Sequence, residues 1–471
     1  MKLISLGQWI RGRLPELSIF VLGALLRLTM AAGWRYQAEW GYDAPAHFAY
    51  VDWILRHASL PHCSVNYLAY HPPLYHITAA GLVKLGGAYQ NIAWLSFACG
   101  VIRLGMIWLG LEWYLQRRPA RIVALALAAV LPTSILIDGM VSNETMNGMF
   151  CAAAMLLLPR ALRATGGMRW RFACALGLVI GLGALAKASA LVLLVVLGIG
   201  VILDQFLTPR RDDWQARVRS LAPWAATVAI CLAVAGWFYA RNVPQYRNPF
   251  ITNYEVIPDW LGHKAASTPY LDRRAPGFFF VWDRSIYQLP YYPTGLEPHA
   301  RFFPVVLAST FVDYYNYSFS GLSPGQKVEG ALLANNRPLT ARLLWLSRGA
   351  IYGGTIILLG TLVAWAVCLG KTFQRREWGL FALLLAPLLA TLLALFFAVK
   401  YPYDTQGVIK GVYIQFGAPP LYAMFGMAVD WSRARRRRWP VLAVLLLGFG
   451  AVAAYAFCCR TGLFLPATLY L

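Results

Sequence analysis

Uninterrupted apolar runs near twenty residues long recur from one end of the chain to the other. A helix of about 20 residues rises 1.5 Å per residue and crosses the roughly 30 Å apolar core of a bilayer. The runs do not alternate apolar and polar positions with period two, as the strands of a transmembrane barrel do. The pattern predicts an all-α polytopic membrane protein with about eleven spans. We place them at 15–34, 91–115, 120–137, 143–163, 171–185, 188–206, 222–240, 345–370, 378–399, 411–430 and 440–458.

Basic residues are concentrated in alternate loops between these runs. The clusters fall at 2–13, 117–121, 160–171, 210–219, 371–376 and 433–438. With this number of spans, all the clusters lie on one side of the membrane, which the positive-inside rule makes cytoplasmic. We therefore expect the N-terminus inside and the C-terminus outside. Three segments then fall outside together: the loop 35–90, the turn 138–144 and the long segment 241–344.

The composition agrees with this picture. Hydrophobic residues make up 59% of the chain and charged residues 13%, where soluble domains carry about 25% charged residues. The net charge of +22 would suggest a nucleic-acid partner for a soluble protein. Here the cations flank the spans, where they lie beside anionic lipid. The sequence therefore predicts membrane lipids, and not nucleic acid, as the partners of this charge.

The first outer loop has its own helical pattern. Within 44–58 apolar and polar residues interleave as in a helix lying in the membrane interface, with Pro45 in its first turn and Asp43 near its cap. A second interfacial helix is predicted over 73–85, after a Pro-Pro pair. The segment 241–344 is rich in aromatic residues, which suit a sugar or lipid ligand or form an ordinary interfacial belt. We divide the chain into a transmembrane module at 1–240, which holds the catalytic loop 35–90, an outer loop region at 241–344 and C-terminal spans at 345–471.

Titratable residues are concentrated in the loop 35–90, which holds five of the seven histidines. Asp43 follows Tyr42 and precedes His47 by four residues, a spacing that puts His47 on the same face of a helix. A carboxylate in an outer loop can take the proton of an acceptor hydroxyl group, so we predict Asp43 as a general base. The alternative is that Asp43 only caps the following helix.

Three more charged residues lie beside apolar runs on the predicted outer side. Glu144, in LIDGMVSNETMNGM, is a second candidate catalytic carboxylate or a residue of a helix cap. Lys187, in GLGALAKASALVLL, could bind a phosphate as a point charge or could snorkel to the interface. Arg241, in AGWFYARNVPQY, offers a bidentate fork for phosphate.

A divalent cation is a further candidate ligand. Asp43, Glu144, His47 and His71 could together supply oxygen and nitrogen ligands, although their spacing matches no recognised metal motif. The sequence has no CxxC pair, so it does not predict a zinc cage.

Five stretches together resemble a known group of proteins. They are DAPAHFAYV, YHPPLYHITA, VSNETMNGMFCAAAMLLL, GLGALAKASALVLL and AGWFYARNVPQYRNP. In order and spacing, over residues 10–250, they are similar to bacterial membrane glycosyltransferases of the GT-C superfamily. That group includes the protein O-mannosyltransferases and the lipid A aminoarabinose transferases. QFGAPPLYAMFGMA looks like a late span of the same group.

The resemblance implies a GT-C fold, a polyprenyl-phosphate-linked sugar donor and transfer on the outer face of the membrane. It implies Asp43 as the catalytic base, from the acidic motif of the first outer loop. That motif often carries two adjacent acids, and Ala44 stands where the second would be. The acid of the next outer turn matches Glu144, where Asp is commoner, and the lysine after a Gly-rich span matches Lys187.

The function predicted is an inverting glycosyl transfer in the bacterial cytoplasmic membrane. The acceptor hydroxyl belongs to a lipid, glycan or protein. Asp43 and Glu144 are the predicted catalytic residues. The predicted substrate-binding residues are Tyr42, His47, His71, Lys187 and Arg241. Two alternatives stay open: a non-catalytic transporter or flippase of lipid-linked sugars, which needs cations but no base, and a ligase of preassembled glycans.

Overall fold

The computed structural model describes residues 12–34, 43–208, 214–256, 269–290, 301–314, 337–402 and 408–461. Within these ranges the chain is helical and has no strand. The α-helices are α1 Leu14–Trp34, α2 Ala44–His57, α3 Leu74–Lys84, α4 Ile92–Tyr114, α5 Arg118–Val130, α6 Pro132–Gly139, α7 Asn143–Arg163, α8 Gly166–Ala186, α9 Val192–Leu207, α10 Trp214–Tyr246, α11 Asn253–Val256, α12 Pro276–Phe280, α13 Phe302–Phe311, α14 Arg337–Gln374, α15 Trp378–Lys400, α16 Pro419–Arg433 and α17 Trp439–Thr461. The short 3-10 helices are Tyr89–Asn91, Ala188–Leu191, Tyr270–Arg273, Arg284–Tyr287, Gly411–Gly417 and Arg436–Arg438.

The predicted all-α polytopic membrane fold is confirmed. In the part of the chain that the structure describes, 9 helices are long and apolar enough to cross a membrane. The pair α5 and α6, bent by 51° at one residue, gives up to 10 spans when it is counted as one. The two predicted interfacial helices are present as α2 and α3, which pack against each other.

The predicted span at 411–430 is wrong as a single membrane helix. Its first part is the 3-10 helix Gly411–Gly417, and α16 then begins at Pro419 and has only 15 residues. Pro419 and Pro420 have no backbone N–H to donate and occupy the first turn of α16, a position where proline favours the start of a helix. The α16 helix packs against α5 and α14.

Side-chain contacts show that most of the basic clusters share one end of the bundle. Arg118 binds Glu16 of α1 at 2.7 Å, and the neighbouring Arg117 reaches Asp430 of α16 at 3.3 Å. The Arg163 guanidinium lies 5.2 Å from the Trp113 ring centroid at the end of α4, and the Lys371 ammonium lies 5.3 Å from the Trp431 ring centroid. We call this the basic end. The start of α7, the end of α8 and the start of the 3-10 helix Gly411–Gly417 lie at the opposite end.

A buried group of three charged residues joins α1, α4 and α6. Asp138 is fully buried and accepts hydrogen bonds from Arg27 Nε at 2.6 Å and from Arg103 Nη2 at 2.8 Å. Arg27 also donates to the carbonyl oxygens of Ala128 at 3.2 Å and Ala129 at 2.9 Å. In a continuous helix the Ala128 carbonyl would accept from the backbone N–H of residue 132, which proline lacks, so Arg27 supplies the missing donor. The ion group therefore holds the bend between α5 and α6.

The predicted outer turn at 138–144 is shorter than expected because Asp138 belongs to this group. Asp138 and Gly139 end α6, and only Met140, Val141 and Ser142 separate it from α7. Gly100 of α4 makes room for the pairing, since a Cβ atom there would come within 2.3 Å of the Asp138 side chain. This short connection carries Glu144 to the site end of the bundle.

Candidate functional site

Asp43 lies at the N-cap position of α2 in a left-handed backbone conformation, with φ 58° and ψ 22°. Few non-glycine residues adopt this conformation, and Asp and Asn are among those that tolerate it. The Asp43 side chain makes no capping hydrogen bond. Its Oδ1 atom instead accepts a hydrogen bond from the Tyr67 hydroxyl at 3.0 Å. The exposed carboxylate therefore hydrogen-bonds a residue outside the helix that it precedes.

Glu144 and Lys187 form an ion pair at the same end. Ser142 caps α7 by accepting from the Glu144 backbone N–H at 3.3 Å, which leaves the Glu144 side chain in the first turn. Lys187 ends α8, and its ammonium binds the Glu144 carboxylate. The two side chains are 18% and 10% exposed, so the pair is largely withdrawn from water. Asn143 links the start of α7 to the end of α8, because its side-chain amide donates a hydrogen bond to the Ala186 carbonyl at 3.0 Å.

A second lysine, which the sequence analysis did not single out, joins this group. The ammonium groups of Lys187 and Lys410 lie 5.0 and 5.7 Å from the centroid of the same ring, that of Tyr413. Lys410 is only 5% exposed. Burial lowers the pKa of Lys410, and the nearby Asp43 carboxylate opposes that shift. The charges of Lys187 and Glu144 also act on it.

The position of Lys410 is fixed by the residue that follows it. The Gly411 N–H donates to the Ser309 hydroxyl at 2.7 Å. A Cβ atom at position 411 would meet the Thr310 hydroxyl at 2.3 Å, so only glycine fits between the segment and α13. The backbone beside Lys410 is therefore held against α13, and this contact fixes the backbone position of the lysine independently of any ligand.

Three buried histidines lie close together near Asp43. His47 Nδ1 and His76 Nε2 are 2.9 Å apart, so one ring donates a hydrogen bond to the other. The ring of His71 is stacked on that of His47 with centroids 6.3 Å apart. Burial lowers the pKa of His47 to about 4, and it also lowers the pKa values of His71 and His76. The histidines are therefore neutral at pH 7 and can donate and accept hydrogen bonds there without carrying charge.

Arg241 lies beside a different part of the loop. Its Nη2 atom donates to the carbonyl oxygens of Pro61 at 3.2 Å and of Leu60 at 3.5 Å. Its Nη1 atom is buried and has no hydrogen-bond partner among the described residues. Arg241 thus supports the connection between α2 and α3, close to Tyr50, on which its charge acts.

The structure brings Asp43, Glu144, Lys187, His47 and His71 to one end of the bundle. Tyr42 lies outside the described residues. Within the described ranges, no group of three or more His, Cys, Asp or Glu side chains could hold a metal ion. Asp43, Glu144 and His47 are hydrogen-bonded to Tyr67, Lys187 and His76 respectively.

Sequence reasoning missed three contributors to this site: Tyr67, Lys410 and Tyr413. Tyr67 lies between the two interfacial helices, where nothing in the local pattern distinguishes it from its neighbours. The sequence could have indicated Lys410, because it is a lone cation in the apolar string VIKGVYI. That string borders the predicted span at 411–430, and the sequence analysis assigned no role to the lysine.

Comparison with known proteins gives an independent view of this arrangement. Residues 70–239 match the model of a family described as dolichyl-phosphate-mannose-protein mannosyltransferase. Comparison with curated protein sequences gave no significant match. The matched range includes Glu144 and Lys187 and lies just after Asp43.

Several solved structures have a similar fold. The oligosaccharyltransferase of Archaeoglobus fulgidus in the apo form is 13% identical, with a TM-score of 0.52 and with 95% of this chain and 56% of that chain covered. The archaeal oligosaccharyltransferase AglB from the same organism, in complex with an inhibitory peptide and a dolichol-phosphate, is 12% identical, with a TM-score of 0.50 and coverage of 96% and 56%. ArnT from Cupriavidus metallidurans bound to undecaprenyl phosphate is 16% identical, with a TM-score of 0.49 and coverage of 96% and 76%.

At these identities the likeness to the solved structures is one of fold, and the chain spans 56% of the length of the oligosaccharyltransferase chains. The chain therefore has a fold similar to that of the Archaeoglobus fulgidus oligosaccharyltransferase, which agrees with the fold that the resemblance in the sequence implies.

Proposed function

We propose that this protein is a GT-C glycosyltransferase that moves a sugar from a polyprenyl-phosphate donor to an acceptor hydroxyl. The observation that carries the proposal is the placing of Asp43. An exposed carboxylate, held in a backbone conformation that few residues adopt and free of any capping duty, lies at the same end of the bundle as Lys187. The dolichol-phosphate bound to a protein of similar fold supports a lipid phosphate as the donor's leaving group.

In the proposed reaction, Asp43 accepts the proton of the acceptor hydroxyl as that oxygen attacks the anomeric carbon. The bond from the anomeric carbon to the phosphate oxygen breaks, and its electron pair stays on the lipid phosphate. A single displacement of this kind inverts the anomeric centre, by analogy with inverting hydrolases. The Lys187 ammonium binds the phosphate, and Glu144 holds Lys187 in place through their ion pair.

The histidines and Arg241 shape the site in this proposal. His47 and His71 present neutral rings beside Asp43 and hydrogen-bond the substrate. Arg241 positions the loop between α2 and α3 through the carbonyl groups of Leu60 and Pro61. Tyr42 precedes Asp43 directly and is a further candidate contact for the substrate.

The proposed orientation puts the site end outside the cytoplasmic membrane of a bacterium. It rests on the basic clusters, most of which share the opposite end. Labelling of intact cells with an impermeant thiol reagent tests it through Ser64→Cys, at an exposed position of the first loop, and Asp213→Cys, between α9 and α10. Labelling of Asp213→Cys alone would put the carboxylates in the cytoplasm and refute the orientation.

The test of function uses purified protein in proteoliposomes with a panel of undecaprenyl-phosphate monosaccharides and membrane extract as the source of acceptor. A transferase releases free undecaprenyl phosphate and leaves the sugar on a new carrier, and both products are detected by mass spectrometry. Movement of the intact donor across the bilayer without bond cleavage would show a transporter instead. Turnover of diphosphate-linked glycans alone would show a ligase of preassembled glycans.

A further inference from the structure

The arginines at the basic end differ in whether they have a carboxylate partner. Arg117, Arg118 and Arg121 each bind a carboxylate, at distances of 2.7 to 3.3 Å. Arg160 and Arg163, in the last turn of α7, bind no carboxylate among the described residues. Their two charges are therefore left for an anion from outside the chain, at the level where a membrane presents its head groups.

The ring of Trp113, near the end of α4, holds these two arginines together. The guanidinium groups of Arg160 and Arg163 lie 5.0 and 5.2 Å from its centroid. Arg160 Nη1 also donates to the Leu156 carbonyl at 3.1 Å, which fixes the direction of that side chain. Trp113 Nε1 is shielded from solvent and has no hydrogen-bond partner in the described part of the chain. Two like charges on one ring repel each other, and an anion bound to both would offset that repulsion.

An apolar groove begins beside this arginine pair. It lies between α4, α7 and the start of α16, and its walls include Met106, Gly110, Tyr114 and Leu156. Gly110 leaves the groove open on the α4 side, because a Cβ atom there would meet nothing within 4 Å. Met106, Gly110 and Tyr114 are partly exposed on a helix long enough to span the membrane, so the groove faces lipid. From Tyr114 to Met106 it extends about 12 Å along α4 towards the centre of the bilayer.

A pair of cations at the end of an apolar groove matches an amphiphile with an anionic head. We propose that this groove binds one anionic glycerophospholipid from the leaflet at the basic end. Its phosphodiester would bind Arg160 and Arg163, and one acyl chain would lie along α4 between Tyr114 and Met106. Arginine forms bidentate hydrogen bonds with phosphate oxygens, and basic pockets between membrane helices suit anionic lipid head groups.

The other charges near the groove agree with an anionic occupant. Glu112, the residue before Trp113, is bound by Arg13 and Arg121 on the side of α4 that faces α1 and α5. It therefore does not oppose an anion beside α7. The occupant also differs from the sugar donor of the proposed function, because Asp43 and Lys187 lie at the opposite end of the bundle, a bilayer core of about 30 Å away.

The test measures binding of phosphatidylglycerol to the purified full-length protein in neutral detergent, by native mass spectrometry over a lipid titration. Phosphatidylcholine, whose head group has no net charge, is the reference lipid and should bind at least about 10-fold more weakly. At about 1 kcal/mol for each arginine near the membrane surface, the double variant Arg160→Gln/Arg163→Gln should bind phosphatidylglycerol about 10- to 30-fold more weakly. Arg375→Gln removes an exposed arginine elsewhere at the basic end, and this matched control should bind like the parent.

A second variant tests the groove while both arginines stay in place. Gly110→Leu fills the space beside α4, so the acyl chain loses its packing contacts and phosphatidylglycerol binding should fall by about fivefold. Thermal unfolding in lipid-free detergent should be similar for the parent and all variants, which separates loss of the lipid from loss of the fold.

Three results would each overturn the inference. The first is phosphatidylglycerol binding within twofold of the parent in both the double variant and Gly110→Leu. The second is an equal loss of binding in Arg375→Gln, which would show a general effect of surface charge. The third is displacement of phosphatidylglycerol by an equal concentration of undecaprenyl phosphate, which would make the groove a site for the lipid carrier.

Discussion

Asp43→Asn is the substitution that bears most directly on the proposed reaction. Asn tolerates a left-handed backbone as well as Asp does, so φ 58° at this position should be retained. The Asp43 side chain makes no capping hydrogen bond, so α2 loses no support. The amide oxygen of Asn can still accept the hydrogen bond that the Tyr67 hydroxyl donates at 3.0 Å. We therefore expect Asp43→Asn to change the free energy of unfolding by less than about 0.5 kcal/mol, as for ordinary surface substitutions.

The effect on catalysis should be far larger. An amide cannot take up the proton of the acceptor hydroxyl at neutral pH, and general base catalysis contributes about 10²- to 10⁴-fold to the rate. At about 1.4 kcal/mol for each factor of ten, this corresponds to a rise of about 3–5 kcal/mol in the activation free energy. Tyr67→Phe removes the hydrogen bond to the carboxylate but leaves the carboxylate itself, so its cost should be smaller, on the order of 1–3 kcal/mol.

The assay is release of undecaprenyl phosphate from the donor by purified protein, with donor binding and thermal unfolding measured on the same preparation. Asp52→Asn is the matched control because Asp52 is a carboxylate on the same helix with other partners, Arg56 at 2.9 Å and the Tyr89 hydroxyl at 3.0 Å. It should retain nearly full activity. Turnover of Asp43→Asn within a few-fold of the parent, with donor binding intact, would show that another group takes the proton.

Three further predictions concern the surroundings of this carboxylate. Lys187→Ala should raise KM for the donor by the equivalent of about 1–3 kcal/mol, whereas the control Lys371→Ala at the basic end should leave KM unchanged. Unchanged donor kinetics in Lys187→Ala would show that Lys187 serves only as the ion-pair partner of Glu144. The protein should lose stability as the pH falls from about 6.5 towards 4. The reason is that burial lowers the pKa of His47 to about 4, so over this pH range the unfolded chain binds more protons than the folded protein. His47 alone should lower the free energy of unfolding by about 2 kcal/mol at pH 5. Equal melting temperatures at pH 7.5 and pH 5 would contradict this reasoning. Gly100→Ala should destabilise the protein by about 1–3 kcal/mol, because the added carbon overpacks against the Asp138 side chain. Gly110→Ala on the same helix, where nothing lies within 4 Å of the added carbon, should not destabilise it. Similar melting temperatures for the two variants would refute the close approach of Gly100 to Asp138.

The sequence was a good guide wherever local pattern decides the structure. The interleaved polar and apolar residues after Asp43, with Pro45 in the first turn, predicted α2 almost to its observed bounds. Glu144 and Lys187 stood out because a charge beside an apolar run needs a reason. The ion pair between them was not predicted, because it joins residues on two helices whose register cannot be derived from either run alone.

Long-range pairing explains the main errors. Asp138 was assigned to an outer turn together with Glu144, because a carboxylate at the end of an apolar run usually faces water. Its burial depends on Arg27 and Arg103, whose own runs were treated as plain spans despite these charges. Lys410 was missed for a related reason. The predicted span at 411–430 ran through the break at Pro419, so the 3-10 segment beside Lys410 was not separated from α16.

The ion group at Asp138 has a consequence for how the protein is made. Arg27 is 111 residues before Asp138 in the chain and Arg103 is 35 residues before it, so both cations leave the ribosome well ahead of their counter-ion. An unpaired Arg at the centre of a membrane helix costs about 2.5–3.5 kcal/mol on insertion. We expect the first two membrane helices to be held at the insertion machinery until α6 arrives, and a nascent chain that stops before Asp138 to be recognised and degraded. The same carboxylate that holds the bend therefore also matters during synthesis, since α1 and α4 reach their paired state only once Asp138 is present.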